Sequence, residues 1–194
     1  LTMRGRLGAL HTSVAGKFVF AGTIWYFLVG LQGPIQSLPT VQRVTHFNNW
    51  VVAHAHIAVL GFSAMIAMGT IYFLLPEITG KKLYSDRMAD VHYWLTLFGV
   101  TSFFVILSGA GLVQGNAWLN GETVYRTLPT LNVYYILRGL TGIAIVAGAI
   151  IGFINIAMTT GGRGNEISHT NGIRPLSELS GQSKPRHNER GDAP

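Results

Sequence analysis

Two histidines, His54 and His56, stand inside "HFNNWVVAHAHIAVLGF", residues 46–62, and from Trp50 to Leu75 the chain is otherwise almost unbroken apolar residues. An ionisable ring in such a run costs free energy to bury and marks a functional site by default. Imidazole is also the commonest metal-ligating side chain. On a helix, residues i and i+2 lie about 200° apart. His54 and His56 therefore face opposite sides, and each can serve a different centre with the helix as the wall between them. On a strand the pair would share a face and could hold one ion, but the apolar run is too long for a strand. The blander alternative is that each ring makes an interhelical hydrogen bond and nothing more.

Two further residues bear on the choice. His46 precedes His54 by eight residues. If the helix runs back that far, His46 stands about 12 Å nearer the membrane surface, rotated by about 80°. There it can hydrogen-bond a carboxylate of whatever His54 holds. Arg138 is expected to open the last apolar segment at the same level, and a guanidinium pairs well with carboxylates.

The elements that must position these residues are membrane helices. The chain has 194 residues, 48% hydrophobic and only 11% charged, well below the charged fraction of soluble domains. A spanning helix needs about 20 apolar residues, and four segments qualify: 14–31, 50–75 (stopped by Pro76), 91–114 and 131–158. The fold class expected is an all-α, polytopic transmembrane bundle of four spanning helices. Residues 115–130, "GNAWLNGETVYRTLPT", read as a polar loop with proline, and residues 161–194, rich in Gly, Ser, Asn and Arg, as a disordered tail. The membrane region is thus 1–160. Cysteine is absent, which excludes disulfides and thiolate metal sites on this chain. The net charge of +6 is what basic loops of a membrane protein supply, and no nucleic-acid partner is expected. Arg4, Arg6, Lys17, Lys81, Lys82, Arg87, Arg163, Arg174, Lys184, Arg186 and Arg190 fall on one side, and Arg43, Arg126 and Arg138 on the other. The positive-inside rule then puts both termini in the cytoplasm. The chain begins with Leu1 and shows no signal-peptide pattern, and is expected to be part of a longer protein.

The ordered series "LTMRG", "QGPIQSLPTVQRVTHFNNW", "HFNNWVVAHAH", "GTIYFLLPEITGKKLYS", "HYWL" and "YYILRGLTGIAIVAGAIIGFIN" resembles the catalytic subunit of the heme–copper oxidase superfamily. The branch it looks like is the C-family, the cbb-type cytochrome c oxidases. The resemblance covers residues 1 to about 160 and would make them core helices nine to twelve, the C-terminal third of a twelve-helix core. It implies two hemes b. His54 would be the proximal ligand of the high-spin heme b, hence the catalytic position, and His56 an axial ligand of the low-spin heme b. His46 would bond a heme propionate, and Arg138 is a second candidate for propionate contact. The copper ligands (CuB) and the cross-linked tyrosine would lie upstream, outside this chain. Partners implied are the remainder of subunit I, c-type cytochrome subunits and membrane lipid, and the location the bacterial inner membrane. The activity implied is reduction of oxygen to water with electrons from cytochrome c, coupled to proton translocation.

Gln32, in "LQGP", stands where some relatives of that family carry a glutamate, which puts any proton role there in doubt. The free ring nitrogens of His54 and His56 should each find an acceptor, which the sequence does not identify. Ser63 is too far along the helix to serve His56. His92 reads as an interfacial or loop-bonding histidine, and His11, His169 and His187 receive no role. Thr70, Thr96, Ser102, Ser108 and Thr141 are expected to bond carbonyls one turn back, Lys17 to snorkel and Asn155 to make an interhelical bond. Trp25, Tyr26, Trp50, Tyr72, Tyr93, Trp94 and Tyr134 are expected mostly in interfacial belts. Three other functions compete: a nitric oxide reductase with non-heme iron in place of copper, a non-catalytic cytochrome b, and a cofactor-free bundle. A bis-histidine cytochrome needs paired ligands on facing helices, which the other three segments do not supply at mid-membrane depth.

Overall fold

The computed structural model describes residues 12–163. They form helices with no strand among the described residues. Helix α1 is Val14–Ser37, and Ser13 caps it by accepting from the Gly16 amide at 3.1 Å. A short α2, Pro39–Thr45, opens with proline at its first turn. The second span, α3, is Asn49–Thr79, capped by the Asn48 side chain and closed by Gly80 in the left-handed conformation (φ 66°). Helix α4 is Asp86–Leu119, capped by Ser85, and α5 is Val124–Met158. All four long helices are apolar enough to cross a membrane, and the chain is a multi-pass membrane protein. The tail expected over 161–194 lies, after residue 163, outside the described residues, as do His11, His169 and His187.

Every span is longer than the apolar segment that announces it. Pro76 does not stop α3 but sits inside it, because a missing N–H near a helix end leaves few bonds to lose and membrane helices tolerate it. The polar loop expected over 115–130 reduces to the turn 120–123, with Gly121 at φ 80°. Its flanks belong to α4 and α5.

Consecutive spans run antiparallel. Helix α1 packs on α3, α3 on α4, and α4 on α5. Glycines set the close approaches: Gly22 meets Ile66, Gly61 meets Trp25, Gly99 meets Ile145, and Gly152 meets the His92 ring. At Gly111 the backbone of Trp50, and at Gly115 the carbonyl of Val44, fill the place of a side chain. The buried core is Phe18, Trp25, Ile57, Met65, Tyr72, Tyr93 and Val100. Large apolar side chains such as Phe27, Val59, Phe98, Ile143 and Phe153 stay exposed, as faces turned to lipid or to further protein do.

Several polar readings change. Trp25, Tyr72 and Tyr93 are core residues rather than belt aromatics. His92 bonds a neighbouring helix rather than a loop. It lies six residues into α4, is buried, and shares a 3.0 Å hydrogen bond with the Tyr72 hydroxyl. Lys17 does not simply snorkel but pairs with Asp90 of α4 at 2.6 Å. Asn155 does bond across helices: its amide accepts from the Ser85 N–H and donates to the Ser85 carbonyl, both at 3.0 Å. Thr70 and Thr141 bond carbonyls of Ile66 and Arg138 as expected, whereas the Ser108 hydroxyl is buried with no partner among the described residues.

Candidate functional site

The first two turns of α3 carry both histidines. The segment before them is built to fix where the helix starts. Asn48 accepts from the Trp50 amide at 2.9 Å and donates to the carbonyls of Val44 and Gly111. Gln114 of α4 accepts from both the backbone N–H (3.1 Å) and the side chain (2.7 Å) of buried Asn49. These bonds clamp the start of α3 to α4 from both sides of the cap.

From that anchor the two imidazoles diverge as the 200° spacing requires. His54 faces α1, where its Nδ1 lies 3.3 Å from Gln32 Oε1, and a methyl group at Gly33 would meet its ring edge at 3.8 Å. His56 faces α4, its ring stacked on Phe103 at 4.7 Å between centroids. Its Nδ1 lies 2.7 Å from the Val52 carbonyl, one turn back in the same helix. A carbonyl accepts only, so His56 Nδ1 carries the proton, and with the Gln32 oxygen turned toward it His54 Nδ1 takes the same role. In both residues Nε2 is left as the lone-pair nitrogen, with no hydrogen-bond partner among the described residues. That is the state of a histidine that binds a metal through Nε2, its ring oriented by the bond at Nδ1.

Buried polar atoms without a partner gather at this same end of the bundle. They are Gln32 Nε2, Gln36 Oε1, Gln42 Oε1 and the indole nitrogens of Trp50 and Trp118. Native interiors leave few such atoms unpaired. Each Nε2 atom, one on either face of the helix, fits the axial position of its own heme. No three His, Asp, Glu or Cys residues among the described ones form a separate metal cluster.

His46 and Arg138 are not where helix extrapolation puts them. The helix does not run back to His46, because α2 ends at Thr45 and the chain turns through His46 and Phe47. Phe47 takes the left-handed conformation (φ 58°), alone among the described non-glycine residues, and its ring lies against that of exposed His46, 3.7 Å between centroids. Arg138 does not open the last span. Helix α5 begins fourteen residues earlier at Val124, so Arg138 lies about 21 Å inside the helix at 1.5 Å per residue. Its guanidinium rests over the Tyr135 ring, 5.3 Å from the centroid. The structure adds Gln32 as the partner of His54, a role invisible without the register of α1 against α3. Ser63 bonds the Ala58 carbonyl instead of either histidine.

Known proteins resemble this chain over most of its length. The family described as Cytochrome C and Quinol oxidase polypeptide I matches residues 1–144. A cytochrome c oxidase subunit 1 homolog of Agrobacterium tumefaciens (strain T37) is 28% identical over 183 residues, 90% of this chain and 34% of that protein. The Cbb3-type cytochrome c oxidase subunit CcoN1 of Stutzerimonas stutzeri is 24% identical over 159 residues, 78% of this chain and 34% of that protein. A nitric oxide reductase subunit of the same organism is a weaker match, 27% identical over 163 residues, 77% of this chain and 34% of that protein. The chain spans about a third of the length of these curated relatives.

Proposed function

The chain belongs to the Cytochrome C and Quinol oxidase polypeptide I family, and we propose that it forms the C-terminal third of the catalytic subunit of a cbb-type respiratory terminal oxidase. The complete enzyme reduces oxygen to water with electrons from cytochrome c and couples this to proton translocation. Residues 1–160 make up its membrane heme-binding region and 161–194 a cytoplasmic tail. Both termini of this segment face the cytoplasm of a bacterial inner membrane. The remainder of subunit I and c-type cytochrome subunits are its partners, and the upstream helices hold copper.

The observation that carries this reading is the arrangement of His54 and His56: one turn of one helix, opposite faces, both Nδ1 atoms engaged and both Nε2 atoms left over. His54 holds the high-spin heme b and His56 the low-spin heme b. A heme with one protein ligand keeps an open position for oxygen, and one with two serves electron transfer. His54 orients its ring by the bond to Gln32, and His56 by the bond to Val52. Residues 54–56 give a covalent path of three residues between the two centres. His46 and Arg138 bind heme carboxylates. Apolar neighbours, Ile57 and Phe103 among them, keep bulk water from the ligated rings.

Metal content of the purified complex tests the proposal. Two hemes b and one copper per complex are expected. Two hemes b with one non-heme iron and no copper would establish the second reading, a nitric oxide reductase, which the match to the Stutzerimonas stutzeri reductase favours. A complex without heme would overturn both.

A further inference from the structure

An open cavity of about 290 Å³ lies at the start of α4, at the end of the bundle that carries Lys17, Lys81 and Lys82. Its size is at the low end for a small-ligand pocket. Ser85, Arg87 and Met88 line it from the first turn of α4, Val91 from the next turn, and Ile151 from α5. The polar groups of Ser85 are already engaged. Its hydroxyl accepts from the Met88 N–H at 3.2 Å, and its backbone N–H and carbonyl both bond the Asn155 amide. Arg87 is exposed, and its guanidinium pairs with no carboxylate among the described residues. What the cavity offers a ligand is therefore one cation at the mouth of an apolar groove.

The groove continues along α4. Val91, Trp94 and Phe98 follow Arg87 at four, seven and eleven residues, within about 40° of one line down the helix, and all three are exposed. Gly148 and Gly152 draw α5 in against Leu95 and His92, with Ile151 beside them in the opposite wall. Phe103, which stacks on His56, comes sixteen residues after Arg87, about 160° round the helix. The stripe thus points away from the side on which His56 would hold its heme, and away from the helices needed to enclose that heme. This one step rests on the heme reading given above. The remainder needs only the membrane.

An exposed apolar stripe on a spanning helix is the surface that acyl chains cover. A guanidinium without a counter-charge at its outer end, among further lysines, favours a negative head group. We propose that Arg87 and the groove between Val91 and Ile151 bind one anionic phospholipid, its phosphate on the guanidinium and one acyl chain along Val91, Trp94 and Phe98. Arginine suits both halves of such a ligand. Its stem lies along apolar surface, and its planar head donates to phosphate oxygens in pairs. A zwitterionic lipid carries the same phosphate, but its own cation offsets the attraction of Arg87, so the site prefers a head group of net negative charge.

The test uses the full complex containing this chain, in mixed micelles with phosphatidylglycerol or phosphatidylcholine bearing a photoactivatable group on one acyl chain. Wild type, Arg87→Gln and Val91→Trp are irradiated, and labelled peptides are mapped by mass spectrometry. Wild type should be labelled within residues 91–98 and at 151, at lower concentrations of phosphatidylglycerol than of phosphatidylcholine. Arg87→Gln should raise the phosphatidylglycerol needed for half-labelling about fivefold, the factor one basic residue supplies at an anionic surface, and erase the preference. Val91→Trp fills the groove and should remove the label while Arg87 remains. Equal labelling by both lipids, unchanged by Arg87→Gln, would mean ordinary solvating lipid and overturn the proposal. Protection by millimolar inorganic phosphate to the same extent as by unlabelled phosphatidylglycerol would make this a site for a free anion and overturn it too. Absence of label from the stripe would place a further protein segment there, with the same result. Should Arg87→Gln fail to assemble, Val91→Trp and the two lipids on wild type carry the test. A wild-type complex without heme would fail the earlier reading, whereas heme present with labelling indifferent to head group and to Arg87 fails this proposal alone.

Discussion

His54 and His56 share one turn of α3 and are held by different means. His56 bonds the Val52 carbonyl of its own helix, so its orientation is settled as soon as that helix forms. His54 bonds Gln32, a side chain on α1, so its orientation depends on how α1 docks. A backbone acceptor cannot be altered by substitution. A side-chain acceptor can, and an amide oxygen is a weaker acceptor than a carboxylate. The centre read as electron-transferring thus has a fixed partner, and the centre read as oxygen-binding has an adjustable one. Tuning of the second without disturbance of the first is what this difference permits.

The largest effects should come from the ligands themselves. His54→Ala should abolish oxygen reduction and spare the low-spin heme spectrum, and His56→Ala should remove the low-spin signal. If both variants kept full heme and full activity, the two-face assignment would be wrong. Gln32→Leu should sharpen the contrast. Loss of an outer partner of a ligating histidine costs about 10–100-fold in retention of what it holds. That loss should appear in the high-spin heme content alone, with Val52→Ala as a control that leaves the carbonyl in place. Gly115→Ala pushes a methyl into the Val44 carbonyl and should cost about 1–3 kcal/mol of packing. It acts upstream of both histidines, so thermal stability of the complex should fall with no preference between hemes. Smallest is Tyr72→Phe, which removes the bond to His92 at a cost of ~0.6 kcal/mol. Melting should shift slightly and both heme spectra stay as they are. A heme change in that variant would tie the two ends of the bundle together.

The apolar centres of the spans were legible in the sequence because lipid-length hydrophobic runs have no other use. Their ends were not. Ser85 and Asn155 read as polar, yet one caps α4 and the other bonds the backbone at that cap, so polar residues extend the helices instead of ending them. Pro129 reads as a loop residue but lies in the first turns of α5. The opposite facing of His54 and His56 followed from the helical angle alone. The place of His46 did not, because one residue, Phe47, leaves the helical region and cancels the extrapolation. Gln32 and Tyr135 could not be found from spacing either. Each bonds across helices, Gln32 to His54 and Tyr135 to Asn49, and interhelical register is set by glycine contacts that composition does not reveal.

Immediately after His56, α3 is a π-helix over Ile57–Ala64 before returning to α at Met65–Thr79. A wider turn changes the phase with which the following residues come round the axis. The two halves of α3 are therefore set independently. The first is aligned by Asn48 and Asn49 against α4, and the second by Gly69 against Val19 and Phe18 of α1. Removal of a single residue between 57 and 64 would let the segment relax to α-helix and rotate one half against the other by roughly 45°, less than the ~100° that the same deletion causes within an α-helix, because the wider turn already absorbs most of the extra residue. Met65 and Tyr72 would be misaligned in the core while His54 and His56 kept their mutual angle. The π segment works as a coupling joint, and sequence length within it, more than sequence identity, is what the bundle requires there.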